Sequence, residues 1–182
     1  MSDKFRNKFR IETTRLTDYD YSSYGAYFIT ICIDKFKQYF GKIENERVIL
    51  SEIGSFAERC WNEILDHFSF VQSDEFVIMP NHVHGTIIID SACCRDFACY
   101  ISTETKNEGM SKISPKKGTI SSVIRSYKSA VTKSCNANQI PFKWQPGFYE
   151  HVIRNNEDLK LTREYIVNNP VKWHLDKYNR TT

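Results

Sequence analysis

The chain has 182 residues, the length of one domain or of one domain carrying an insertion. Hydrophobic residues make up 41% and charged residues 26%, the ordinary balance of a soluble globular protein. No run of 18 apolar residues is present, which excludes a helical membrane span.

The opening MSDKFRNKFR is charged with no apolar stretch behind it, so no secretory signal is expected. The six cysteines (32, 60, 93, 94, 99 and 135) form no CxxC pair. Free thiols in a reducing cytoplasm are therefore expected, rather than a disulfide or zinc framework. The net charge is only +3, but its placement is uneven. From Gly109 to Tyr149 there is no Asp or Glu. Lys112, Lys116, Lys117, Arg125, Lys128, Lys133 and Lys143 make that stretch +7, against −4 for the remainder. Lys4, Arg6, Lys8, Arg10 and Arg15 form a second basic cluster. Such clusters suit a polyanion, and equally a solvated basic face.

In chain order, residues 1–20 read as an extended basic arm. Tyr24–Ile33 (YGAYFITICI) is aromatic and β-branched and predicts a buried strand. Residues 38–50 predict a hairpin turning at Glu44-Asn45-Glu46. Ser51 is a helix N-cap, and Ile53, Phe56, Ala57, Cys60, Ile64 and Leu65 follow at helical spacing as far as about His67. Trp61, on the same helix, is expected in the core. Asp74–Met79 and His82–Asp90 predict two strands about a Pro80-Asn81 turn. Residues 91–117 are polar and read as a mobile insertion.

A second helix is expected from Thr119 to about Cys135. Its apolar face carries Tyr127 and its polar face Arg125 and Lys128. After a Pro141 and Pro146-Gly147 connector, Phe148–Arg154 predicts a strand. A third helix starts at an Asn155 or Asn156 cap and ends near Asn169, before Pro170. The tail 171–182 has no clear pattern. Setting aside the early hairpin and the last helix, the order is β-α-β-β-α-β. That is an α+β, ferredoxin-like split with an antiparallel sheet and helices on one face. A single domain spans 1–182.

Three motifs carry chemistry. In Pro80-Asn81-His82-Val83-His84 the two histidines are two apart on a strand. They share a face, where they could grip one metal ion or serve as structural histidines. Tyr165 and Asn169 are four apart and share a helix face. A carboxamide oxygen can ligate a hard cation, and a nearby tyrosine can attack a phosphate held by it. The alternative is a packed tyrosine and a polar helix end. Trp144–Asn155 mixes aromatics with His151 and Arg154, as sites for single-stranded nucleic acid do, or as a closing core strand would.

Taken together, DYDYSSYGAYFITICI, FGKI, VIMPNHVHGTIII, SYKSAVTK, WQPGFYEHVIRNNEDL and YIVNNPVKW resemble the REP-associated tyrosine transposases, a branch of the HUH single-strand transposases. The resemblance runs from about Leu16 to Trp173. It implies that His82, His84 and Asn169 hold Mg²⁺ or Mn²⁺ and that Tyr165 is the nucleophile. Tyr149 and Tyr127 are weaker candidates for that role. The implied substrate is single-stranded DNA folded into a hairpin, cut through a 5′-phosphotyrosine intermediate. Arg125, Lys128, Lys133, Trp144, Arg154, Arg6 and Arg10 would contact the DNA. No membrane partner is expected. Both a monomer and a homodimer are open, and so is whether Tyr165 acts within its own chain. Two alternatives stand beside this reading: a non-catalytic hairpin-binding protein of the same lineage, and an RNA-binding ferredoxin-like module. A relaxase or replication initiator of the wider class would need further domains.

Overall fold

The structure, a computed structural model, describes residues 24–89 and 118–179. It also describes the backbone of two short strands, β1 (Lys4–Phe5) and β2 (Lys8–Phe9), which pair antiparallel within the expected arm. The 91–117 insertion, Arg6 and Arg10 lie outside the described residues.

The central sheet is built from β3 (Gly25–Cys32), β6 (Val71–Met79), β7 (His82–Ile89) and β8 (Tyr149–Ile153). Its order is β6-β7-β3-β8, antiparallel throughout. With α1 (Glu52–Asn62) and α3 (Ile120–Ala137) as crossovers, this is the ferredoxin-like split. The hairpin β4 (Gly41–Glu44) and β5 (Arg47–Leu50) forms a separate ribbon. Its turn residues Asn45 and Glu46 have φ of 50° and 63°, the left-handed pair that a two-residue hairpin needs.

Ser51 caps α1 as expected, its hydroxyl accepting from the Gly54 N–H at 3.1 Å. The helix does not run unbroken to His67. It ends at Asn62, and a short α2 (Ile64–His67) follows. The change of direction buries Ile64 and leaves Leu65 exposed, against the single apolar stripe the spacing suggested. β6 begins at Val71, three residues early, because an irregularity between Ser73 and Phe76 absorbs the polar Asp74-Glu75 step. Asp74 there accepts both a 2.7 Å and a 3.1 Å bond from Arg163 of α4 (Asn156–Asn168), tying that helix to the sheet edge.

Strand alternation divides the sheet into two faces. Tyr27, Ile29, Ile31, Val83 and Ile87 point to one side, where Trp61 of α1 and Val123, Tyr127 and Val131 of α3 complete the core. Thr30, Phe28, His82, His84 and Thr86 point to the other. The added C-terminal helix α4, whose side the sequence leaves open, packs on the second face, with Thr162, Ile166 and Asn169 turned inward. The helical layers therefore enclose the sheet, and the histidines lie under α4.

Trp61 is fully buried, as expected, and it sets the space above Gly85. A Cβ added at Gly85 would lie 2.2 Å from the indole. That ring cannot retreat. It stacks on Phe76, meets Tyr127 edge-on, and donates from Nε1 to the Ser73 hydroxyl at 3.1 Å. Gly85→Ala is expected to destabilise the fold by about 1–3 kcal/mol, the usual cost of overpacking a core. Urea unfolding of the purified variant measures this, and an unchanged midpoint would show that the indole has room to move.

Candidate metal and tyrosine site

The site begins at the two-residue turn between β6 and β7. Asn81 is fully buried there. Its Nδ2 donates to the carbonyls of Phe36 (3.1 Å) and Tyr178 (2.8 Å), which fixes the orientation of the amide. Its Oδ1 must then accept, and it does so from His82 Nδ1 at 2.8 Å. This places the His82 proton on Nδ1 and leaves Nε2 as a bare lone pair. The Thr30 hydroxyl on the neighbouring strand lies 2.8 Å from His84 Nδ1 and orients that ring, although a hydroxyl can donate or accept and so does not by itself fix the tautomer. Both imidazoles thus present Nε2 to the space between sheet and α4.

Burial keeps these rings neutral. His82 lies well below the usual imidazole value because it is desolvated, with His84 and Lys177 adding smaller repulsions. Burial, then the Lys177 ammonium, pushes His84 down to about 3. The rings meet at 4.4 Å between centroids, so two positive charges could not coexist there.

Helix α4 brings the tyrosine. Asn155 caps it, accepting from the Asp158 N–H at 2.9 Å, and Glu157 and Asp158 favour its N-terminal dipole. Asn169 closes the helix in helical geometry, so Tyr165 and Asn169 lie one turn apart on one face, as their spacing predicted. The Tyr165 hydroxyl is 3.3 Å from His84 Nε2. Phe28 sets both rings, stacking on His84 at 5.2 Å and meeting Tyr165 edge-on at 5.8 Å. Burial and the Asp176 carboxylate raise the Tyr165 phenol above its ordinary value, while a hydrogen bond with Asn169 opposes the rise.

The tail supplies residues that sequence reasoning missed. A 3₁₀ turn at Trp173–Leu175 carries Asp176 and Tyr178 back across the histidines. Trp173 stacks near one side of His82 at 6.1 Å, and Tyr178 lies 4.7 Å away. Asp176 accepts the Tyr178 N–H on Oδ1 at 2.7 Å and hydrogen-bonds with the Asn169 side chain. Its Oδ2 sits 3.7 Å from His82 Nε2, with the carboxylate only 3% exposed. His82, His84 and Asp176 each offer a ligand atom within 4.8 Å of the others. No periodicity marks this tail, and only a carboxylate shortly after YIVNNP could have hinted at it.

Three buried atoms of this cluster have no hydrogen-bond partner: His82 Nε2, Asn169 Oδ1 and Asp176 Oδ2. All are acceptors. With its Oδ1 free, Asn169 bonds Tyr165 and Asp176 through its Nδ2 amide. A pocket of desolvated acceptors with no donor is costly unless a cation satisfies it. Two imidazole nitrogens and two oxygens suit a divalent ion such as Mn²⁺ or Mg²⁺.

The residues expected to touch DNA separate. Lys128 points inward, donating to the carbonyls of Gln145 and Gly147, both at 2.8 Å, and lying 5.6 Å from the Trp144 ring centre. Burial lowers it to about 8. Trp144 is buried among Phe40, Phe142 and Tyr127, and its Nε1 donates to the Lys128 carbonyl at 3.1 Å. Both were expected at a DNA surface. They instead fasten the connector to α3, because each finds a partner on the other. Tyr127 is likewise core, 2% exposed on the face away from the histidines. Arg125 and Lys133 are exposed on the outer side of α3, behind the sheet. Arg154 is exposed at the start of α4, beside a groove formed by Ala26, Ile88, Ile153 and Leu159 on the histidine face.

The neutral histidines make stability depend on pH. In the unfolded chain they bind protons below about 6.5, while in the fold they do not until far lower. Their contribution is complete above that value and is lost as the pH falls through it towards the folded values. The slope is at most about 1.4 kcal/mol per pH unit for each imidazole. With chelator present, the urea midpoint is expected to drop steadily from pH 7 to pH 5, and less steeply in His84→Gln. Equal slopes in the two proteins would show that His84 is not held neutral.

No family model matches the chain. An uncharacterised Haemophilus influenzae protein is 39% identical over 168 residues, covering 90% of this chain and 89% of its own. The REP-associated tyrosine transposase of Escherichia coli is 44% identical over 52 residues, 29% of this chain and 30% of that protein. A second Haemophilus influenzae protein, provisionally given the same transposase name, is 25% identical over 165 residues, 84% of this chain and 74% of its own. Among solved structures, a REP-associated tyrosine transposase bound to a REP hairpin superposes with a TM-score of 0.59 at 20% identity. That match covers 92% of this chain and 77% of the other, and it shows the shared fold. By sequence this chain is similar to REP-associated tyrosine transposases, and it shares the fold of one of them.

Proposed function

We propose that this chain is a metal-dependent strand transferase for single-stranded DNA, acting on hairpin-forming repeats with Tyr165 as its nucleophile. The observation that carries this reading is the Tyr165 hydroxyl, 3.3 Å from His84 Nε2 and beside three buried, unpartnered acceptors. His82, His84 and Asn169 would hold the cation. When bound, Mg²⁺ or Mn²⁺ supplies a Lewis acid that polarises the phosphoryl oxygens and orients the ester for in-line displacement.

The chain's own residues do the rest. Asn81 keeps the His82 Nε2 lone pair turned to the site, and Thr30 orients the His84 ring. Phe28 holds the tyrosine ring edge-on, which limits its swing. Asn169 donates to the Tyr165 oxygen and stabilises it as negative charge builds. The phenolic oxygen attacks phosphorus and the P–O3′ bond breaks. The leaving 3′ oxygen takes up a proton as the phenol gives one up. A 5′-phosphotyrosine and a free 3′-OH result, and attack by another 3′-OH rejoins a strand without ATP.

The hairpin is carried over from the solved relative, whose ligand is a REP hairpin. Arg154 and its groove share a face with Tyr165, so they would guide the strand being cut. Arg125 and Lys133 lie on the opposite side, so phosphate contacts there would anchor DNA at a distance from the reaction. Arg6 and Arg10, which lie outside the described residues, are proposed as further phosphate contacts from their charge alone.

The test is a covalent-adduct assay with labelled hairpin DNA from sequence flanking the gene, in Mg²⁺ or Mn²⁺. The wild-type chain is expected to form a protein–DNA adduct that EDTA abolishes. Tyr165→Phe is expected to lower adduct formation by about a thousandfold or more, as loss of a nucleophile does. Hairpin binding without an adduct, under both metals, would favour a binding-only protein. An adduct that survives in Tyr165→Phe would move the nucleophile to another tyrosine, with Tyr178 and Tyr149 next in line.

A further inference from the structure

Resting on the metal reading above, we propose that Asp176 is a fourth protein ligand of the cation, and that the tail from Lys172 to Asn179 is a strap the ion fastens. The argument is one of unmatched acceptors. His82 Nε2 and Asp176 Oδ2 face each other across 3.7 Å, both buried and both without a partner. That gap is too long for a hydrogen bond. The neutral His82 Nε2 also carries no proton to donate, because Asn81 holds its proton on Nδ1.

A shared cation fits the spacing. Ligands about 2.1 Å from one ion lie roughly 3.0 Å apart when adjacent and 4.2 Å when opposite, and 3.7 Å falls between. Asn169, with its buried and unpartnered Oδ1, lies in the same cluster close enough to Asp176 to influence its carboxylate. A carboxylate adds the only formal negative charge among these four groups, which strengthens the site for a hard divalent ion.

The strap follows from where Asp176 sits. Its Oδ1 accepts the Tyr178 N–H at 2.7 Å, and the Tyr178 carbonyl accepts from Asn81 at 2.8 Å. Trp173 and Tyr178 lie against His82. An ion on Oδ2 therefore joins the tail to β7 beside the point where Asn81 Nδ2 holds the Tyr178 carbonyl. Coupling of this kind is reciprocal: the ordered tail strengthens metal binding, and the metal orders the tail.

Asp176→Asn tests this on the full chain. The asparagine keeps Oδ1 for the Tyr178 N–H and changes only the proposed ligand oxygen. Mn²⁺ alone is titrated, read by loss of the free-ion EPR signal, while hydrogen exchange follows the amides of residues 173–178. The expected result is Mn²⁺ binding at least about tenfold weaker in Asp176→Asn than in the wild type. Mn²⁺ is also expected to slow tail exchange in the wild type and not in the variant. Asp176→Asn binding within twofold of the wild type, while His82→Ala loses Mn²⁺, would overturn the ligand role and leave the metal reading intact. Tail exchange that Mn²⁺ leaves unchanged in the wild type would overturn the strap. A wild-type chain that binds no Mn²⁺ would overturn both this proposal and the metal reading beneath it.

Discussion

The side chain of Asn81 is the constraint on which the site depends. Its amide nitrogen ties two separate stretches of chain, the turn at Phe36 and the tail at Tyr178, to the start of β7. Its oxygen then has one remaining role, and that role decides which nitrogen of His82 carries the proton. The backbone of the same turn is equally engaged: Asn81 O accepts from Ile33 N at 2.9 Å and Pro80 O from Phe40 N at 3.0 Å. A surface asparagine could flip. A fully buried one with three partners cannot do so without breaking all three.

Around that turn, the strand period assigns each residue of β7 to one of two jobs. Val83, Gly85 and Ile87 fill the core beneath α1 and α3, while His82, His84 and Thr86 line the chemical face beneath α4. The two jobs cannot drift relative to each other, because a one-residue slip would exchange them along the whole strand. Gly85 pins the register from the core side, since only a residue without Cβ fits under the Trp61 ring. Packing on one face thereby positions the reactive groups on the other.

The site carries a concentrated cost. Buried acceptors without donors, neutral histidines 4.4 Å apart, and a desolvated carboxylate all oppose folding. Local inconsistency of this kind, concentrated in one cluster, is what a functional site looks like. The surrounding aromatic rings of Phe28, Trp173 and Tyr178 pack against the histidines. By contrast, Lys128 and Trp144 both find hydrogen-bond partners and fasten the connector to α3.

Much of this was legible in the residues. Alternating and helical periods located β3, β7, α1, α3 and α4, because each pattern reports which side chains share a face within one element. They also placed His82 with His84, and Tyr165 with Asn169, before any fold was known. The Ser51 and Asn155 caps and the stop at Pro170 are equally local. What periodicity cannot report is which surface a face will meet. That α4 would cross to the side opposite α1 and α3 depends on the path between elements, and that path alone put Tyr165 against His84. The inward turn of Lys128 and Trp144 depends on each finding the other across sixteen residues. Asp176 and Tyr178 lie in a tail too short for any pattern, and their place is set by a hydrogen bond to a side chain 97 positions earlier. Local spacing decides what a residue can face, and only long-range contact decides what it touches.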